Sequence, residues 1–157
     1  MPDDVSNLHA LYEQHGPALL AYLRRYGQEE AEDWLQETFV RAVRHPDRLT
    51  GAASARAWLF GVARHVAVTA VRRRRKFEAL PAEVAEEVRR EEPRVAEMRR
   101  AIEGLPDIHR EALELRLREG LAYEEIAEVL GVPVGTVRSR LHNAVRQLRR
   151  VMHEEGK

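Results

Sequence analysis

The sequence predicts an all-α chain of two small helical domains joined by an acidic linker. Three observations carry that expectation. Apolar residues recur at three- and four-residue steps almost throughout, and no segment keeps the period-2 alternation of a half-buried strand. A length of 157 residues suits one ordinary domain or two small ones. Between two groups of helical segments, Pro81 and Pro93 frame a dense run of glutamates that interrupts the pattern.

In chain order, the spacing predicts helices over 5–15, 17–27, 29–45 and 54–76, then over 94–104, 107–119, 123–130 and 134–152. The corresponding domains are 1–77 and 94–157, with the acidic linker at 78–93. In the first two helices Leu8, Leu11, Tyr12, Leu19, Leu20, Leu23 and Tyr26 are the packing residues. In the third, Ala31, Trp34, Leu35, Thr38, Phe39, Ala42 and Val43 form one amphipathic stripe, so Trp34 and Phe39 read as core. Asp33, Gln36 and Glu37 occupy its opposite face. His45 to Ser54 has loop chemistry, and Ser54 is placed to cap the next helix. That helix buries Trp58, Leu59, Val62, Ala63, Val66 and Ala67, keeps Arg56, Arg64 and His65 near the other face, and ends in the basic cluster Arg72–Lys76.

Composition narrows the function. Hydrophobic residues at 44% allow packed cores, and charged residues at 33% require much solvated or partner-facing surface. With no cysteine, disulfides, cysteine–zinc sites and thiol catalysis are excluded. No run reaches the roughly 18 apolar residues of a membrane helix, and no signal pattern opens the chain, so a cytoplasmic protein without membrane insertion is expected. The formal net charge of zero conceals segregation: residues 1–40 carry −6, 41–76 carry +9, 77–97 carry −4 and 98–157 carry +1. Such blocks suggest different partners for different segments. His9 and Glu13 have the i, i+4 spacing of a metal pair, but no third ligand accompanies them, so no metal site is assigned. No nucleophile–base set, phosphate-cradling loop or carboxylate pair is evident. The expectation is no catalytic residue, no cofactor and no enzyme.

Residues 122–150 are the most informative. Tyr123, Ile126, Ala127 and Leu130 share one face of a short helix, Gly131 can stop it in the left-handed conformation, and Pro133 can begin the next. The second helix buries Val137, Leu141, Ala144 or Val145, and Leu148. Between Val134 and Arg150 it holds five arginines and no acid. Two helices joined by so short a turn make a helix-turn-helix. Thr136, Arg138, Ser139, Arg140, His142, Asn143 and Arg146 carry the polar chemistry, the early ones suited to base edges in a major groove. Arg146, Arg149 and Arg150 lie further along, where phosphates are the nearer targets. By itself this unit also fits a stand-alone helix-turn-helix transcriptional regulator.

The string from Tyr123 to Leu141 resembles region 4.2 of the extracytoplasmic-function (ECF) sigma factors, group 4 of the sigma-70 family. Leu105-Pro106 and Arg110-Glu111-Ala112-Leu113 resemble region 4.1, and Ala31 to Phe39 resembles region 2.2. The block from Arg48 through the basic cluster resembles regions 2.3 and 2.4. The resemblance spans about 125 residues in the family's order. It implies a sigma region 2 bundle followed by a region 4 helix-turn-helix.

By that resemblance Asp33, Gln36 and Glu37 dock on the β′ clamp helices of core RNA polymerase, and the region 4 domain meets the β flap. Arg48, Leu49, Thr50, Ser54, Arg56, Arg64, His65, Arg72 and Arg73 would melt and hold the −10 element, with a base flipped into a pocket beside residues 48–54. Thr136, Arg138, Ser139, Arg140, His142, Asn143 and Arg146 would read the −35 element. The acidic linker would thread toward the RNA path, and an anti-sigma factor is the implied regulator. The chain departs from the family at Ala122, where a serine or threonine is frequent. Asn143 replaces a frequent base, and His65 and Thr69 stand where Asn and Asp are common.

Overall fold

The computed structural model describes residues 2–52, 54–75 and 91–155. Eight helices account for the regular structure of these residues, with no strand among them: α1 (Pro2–Arg24), α2 (Ala31–Arg44), α3 (Pro46–Gly51), α4 (Ala55–Arg75), α5 (Pro93–Glu103), α6 (Asp107–Leu117), α7 (Tyr123–Leu130) and α8 (Val134–Glu155). The fold is all-α, as the periodicity implied. It divides into two compact units, one built on α1–α4 and the other on α5, α6, the greater part of α7, and α8. Most of the linker expected at 78–93, together with Lys76, lies outside the described residues.

In the first unit α1, α2 and α4 pack against one another, and α3 lies against α2 and α4. Leu19, Tyr22 and Leu23 of α1 meet a core completed by Trp34, Leu35 and Phe39 of α2 and by Leu59, Phe60, Ala63 and Val66 of α4. Burying such side chains contributes roughly 1.5–3 kcal/mol for each large one. Thr38 is fully buried, and its hydroxyl donates to the Trp34 carbonyl at 2.8 Å, which satisfies a polar group that would otherwise destabilise the core.

Four expectations for this unit need correction. The separate helices at 5–15 and 17–27 are one continuous helix, α1, with Pro17 inside it. Pro17 removes a single intrahelical donor, and Gly16 before it has no Cβ for the proline ring to crowd. Residues 46–51, read as loop, form α3, because Pro46 starts a helix with its φ already set. On α4 the inward arc is turned: Phe60 and Ala57 are buried, whereas Trp58 and Val62 are half-buried. α4 packs on both α1 and α2, so it buries a wider arc than a single stripe. Val43, assigned to the α2 stripe, is 61% exposed because it comes at the last turn.

The second unit packs α5 and α6 on α8. Its core includes Leu105, Leu113, Leu115, Leu121, Ile126, Val137, Leu141 and Ala144. At the ambiguous step of the α8 stripe, Ala144 is the buried residue, and Val145 is exposed. The α6–α7 connection turns at Gly120 (φ +63°), and the Arg116 guanidinium donates to the Leu121 carbonyl at 2.9 Å while lying 5.2 Å from the Tyr123 ring centroid. No described helix is long and apolar enough to cross a membrane.

Candidate nucleic-acid interface

The helix-turn-helix is built by local chemistry. Ala122 stands at the N-cap of α7, and its carbonyl accepts the Ile126 N–H at 2.9 Å. Alanine has no side-chain acceptor for the orphan donors of the first turn, yet Glu125 Oε1 accepts the Ala122 N–H at 3.0 Å. That is the glutamate half of a capping box without its hydroxyl half. At the other end Gly131 adopts φ +67°, its N–H donates to Glu128 O at 3.3 Å, and the Val132 N–H donates to Ala127 O at 3.1 Å. This pair of bonds is a Schellman motif, which a residue bearing a Cβ would strain. Pro133 then accepts from Thr136 and Val137, opening α8.

On α8, Val137, Leu141 and Ala144 are buried and hold the helix in place. Arg138, Ser139, His142, Asn143 and Arg146 are exposed together, whereas Thr136 and Arg140 are half-buried at the margin. With 3.6 residues per turn, Arg138, His142 and Arg146 follow one another at i, i+4 along that face, and Ser139 and Asn143 run beside them. An exposed helical face with arginine near its start and no acid from Val134 to Arg150 can offer donors to base edges and charge to phosphates.

In the first unit, Asp33 and Gln36 are exposed on α2. Glu37 is half-buried and accepts from Arg41 Nε at 3.2 Å, so part of its charge is spent within the helix. The residues assigned to the −10 element come from two neighbouring elements. Arg48, Leu49 and Thr50 lie on α3, with Thr50 Oγ1 donating to the Asp47 carbonyl at 3.1 Å. Ser54 caps α4 as expected, its Oγ accepting the Ala57 N–H at 2.9 Å. Arg56 lies 5.9 Å from the Phe60 ring centroid, and Arg64 is half-buried. His65, Arg72 and Arg73 are exposed. His65 and Arg72 are seven residues apart, hence on one face of α4 two turns from each other. Arg74, by contrast, pairs with Glu30 at the start of α2.

One cluster went unassigned in the sequence. The Arg25 guanidinium sits 5.9 Å from the Tyr22 ring centroid and 5.5 Å from that of Tyr26. The i, i+3 and i, i+4 spacing of these three residues was the available signal. His15, on α1, titrates below its ordinary value because of its burial and, second, the positive charge of Arg56. Its neighbour in sequence space, His9, has Nε2 3.1 Å from Glu13 Oε1 on an exposed surface.

Residues 11–77 match the family model for sigma-70 region 2, and residues 96–148 match that for sigma-70 region 4. Among curated proteins, the chain is 35% identical to the ECF RNA polymerase sigma factor SigL of Mycobacterium tuberculosis, over 95% of this chain and 90% of that one. It is 31% identical to the RNA polymerase sigma factor YlaC of Bacillus subtilis, over 93% and 92% of the two chains. Among solved structures, the sigma factor RpoE of Bartonella quintana, crystallised with the anti-sigma factor NepR, shares the fold with a TM-score of 0.65 at 23% identity, covering 90% of this chain and 96% of that one. CnrH, solved with the cytosolic domain of CnrY, gives 0.64 at 24% identity, covering 94% and 88%. The chain therefore belongs to the ECF sigma factors of the sigma-70 family, alternative sigma factors of transcription initiation.

Proposed function

We propose that the chain works in the cytoplasm as a binding subunit without chemistry of its own. Asp33, Gln36 and Glu37 dock the first domain, residues 1–77, on the β′ clamp helices of core RNA polymerase. Complementary charge would steer and register this contact more than supply its affinity. Arg48, Leu49, Thr50, Ser54, Arg56, Arg64, His65, Arg72 and Arg73 capture the melted −10 element. Thr136, Arg138, Ser139, Arg140, His142, Asn143 and Arg146, in the second domain at 94–157, read the −35 duplex. Residues 78–93 are the acidic linker between the domains, and the second domain also meets the β flap.

The observation that carries this reading is α8 itself: one face buried at Val137, Leu141 and Ala144, the other exposing Arg138, Ser139, His142, Asn143 and Arg146. A helix anchored in this way can enter a major groove without disturbing its own domain. An anti-sigma factor is proposed as the regulator, since RpoE and CnrH were each solved with a bound partner, NepR and the cytosolic domain of CnrY. Run-off transcription with purified core polymerase is the test. Promoter-dependent initiation on addition of the protein is expected, and DNA binding without initiation would overturn the polymerase and −10 contacts assigned above.

A further inference from the structure

Residues 1–40 contain eight acids and only two bases, and those bases, Arg24 and Arg25, are adjacent at the end of α1. A basic last turn suits the helix dipole, which accounts for charge there but not for what surrounds Arg25. Its guanidinium lies against the rings of both Tyr22 and Tyr26. The Tyr22 ring meets Phe60 edge-on at 5.2 Å between centroids, and Phe60 in turn carries Arg56 at 5.9 Å. Tyr22 and Phe60 are buried, whereas Arg25 is exposed and Tyr26 and Arg56 are half-buried. A ladder of rings therefore connects Arg56, which belongs to the proposed −10 set, to a second arginine at the surface of the same unit.

We propose that Arg25 and Tyr26 form a further single-strand contact, holding the non-template strand where it runs on beyond the −10 element. The inference rests on the function proposed above. Upstream of the −10 element the DNA must be duplex to reach the −35 reader, so a single strand can continue only downstream. Single-stranded nucleic acid is held by cations that track its backbone and by rings on which bases stack. Arg25 supplies the first and the half-buried ring of Tyr26 the second. Cation–π contact with two tyrosines, at 5.9 and 5.5 Å, also restrains the guanidinium before any ligand arrives, which lowers the ordering cost of binding a phosphate.

The test uses holoenzyme and two fluorescent non-template oligonucleotides from a promoter mapped for this protein. One ends at the −10 element; the other runs on downstream by several nucleotides. The longer strand should bind more tightly to the unaltered holoenzyme. Tyr26→Ala should remove about fivefold or more of that advantage. Arg25→Ala should lower the salt slope for the longer strand by about 0.7. Neither should change binding of the shorter strand. Arg25 is exposed, so its variant keeps the test independent of any folding defect at Tyr26. Equal loss on both strands, no loss on either, or weakened affinity for core polymerase alone would overturn the proposal, the last assigning this surface to a protein partner. Unaltered holoenzyme that bound neither strand would instead sink the function on which the proposal rests, a distinguishable result.

Discussion

Glu125 Oε1 accepts the backbone N–H of Ala122 at 3.0 Å, although Ala122 has no side-chain oxygen with which to return the bond. The first helix of the helix-turn-helix thus begins with half a capping box. The glutamate is already placed for the missing hydroxyl.

Ala122→Ser should therefore stabilise the second unit by about 0.5–2 kcal/mol, through a new acceptor for the Glu125 N–H. Glu125→Ala should destabilise it and leave the Ala122 N–H without its present partner. Denaturant unfolding of the two variants checks both signs, and a neutral Ala122→Ser would show that water already caps the helix as well as serine can.

Arg138→Ala should relax sequence preference at one −35 position and cost roughly 1–3 kcal/mol there. The residue is exposed on the first turns of α8, where a recognition helix meets base edges. Binding to a panel of single-base variants is the measurement. Uniform weakening on all of them would move Arg138 to the phosphate-contacting class.

Asp33→Lys with Glu37→Lys should cut affinity for core polymerase and leave the helical content unchanged. Asp33 should account for the larger share, because Glu37 is engaged by Arg41 within α2. Pull-down with core enzyme and circular dichroism read the two effects separately. Undiminished capture of the double variant would show that the docking face is elsewhere.

Ser54→Ala should destabilise the first unit by about 1 kcal/mol, since its Oγ satisfies the Ala57 N–H at the start of α4. Ser54→Asp or Ser54→Thr should restore most of that loss, because both carry an acceptor. Thermal unfolding distinguishes this cap from a role in DNA contact alone, for which stability would not change.

The first unit should also lose stability as pH falls. Burial and Arg56 hold His15 below its ordinary value of 6.5 in the folded chain. The unfolded chain then binds the proton first, so the contribution is complete above about pH 6.5 and declines below it. His15→Gln should flatten the dependence between about pH 7.5 and pH 5, above the range where carboxylates titrate. An unchanged slope in that variant would remove His15 as its source.

Much of this protein was legible because the signals are local. The all-α class, the inward stripe of Trp34, Leu35 and Phe39, the cap at Ser54 and the left-handed stop at Gly131 depend on residues within a turn or two of each other. Periodicity and capping chemistry therefore determine them in the sequence by itself. The exposed face of α8 was legible for the same reason: once Val137, Leu141 and Ala144 are buried, helical geometry decides which residues face out.

What only the tertiary structure decided depends on neighbours far away in the chain. Packing of α1 against α2 and α4 carries one helix through Pro17. Contact with two helices at once turns α4, so that Phe60 enters the core and Trp58 stays at its edge. The same turn brings Phe60 to Tyr22, and with them Arg56 into one ladder with Arg25. No period along the chain encodes a ring contact between residues 22 and 60. It exists because hydrophobic burial, which has no preferred direction in sequence, brings those two surfaces together.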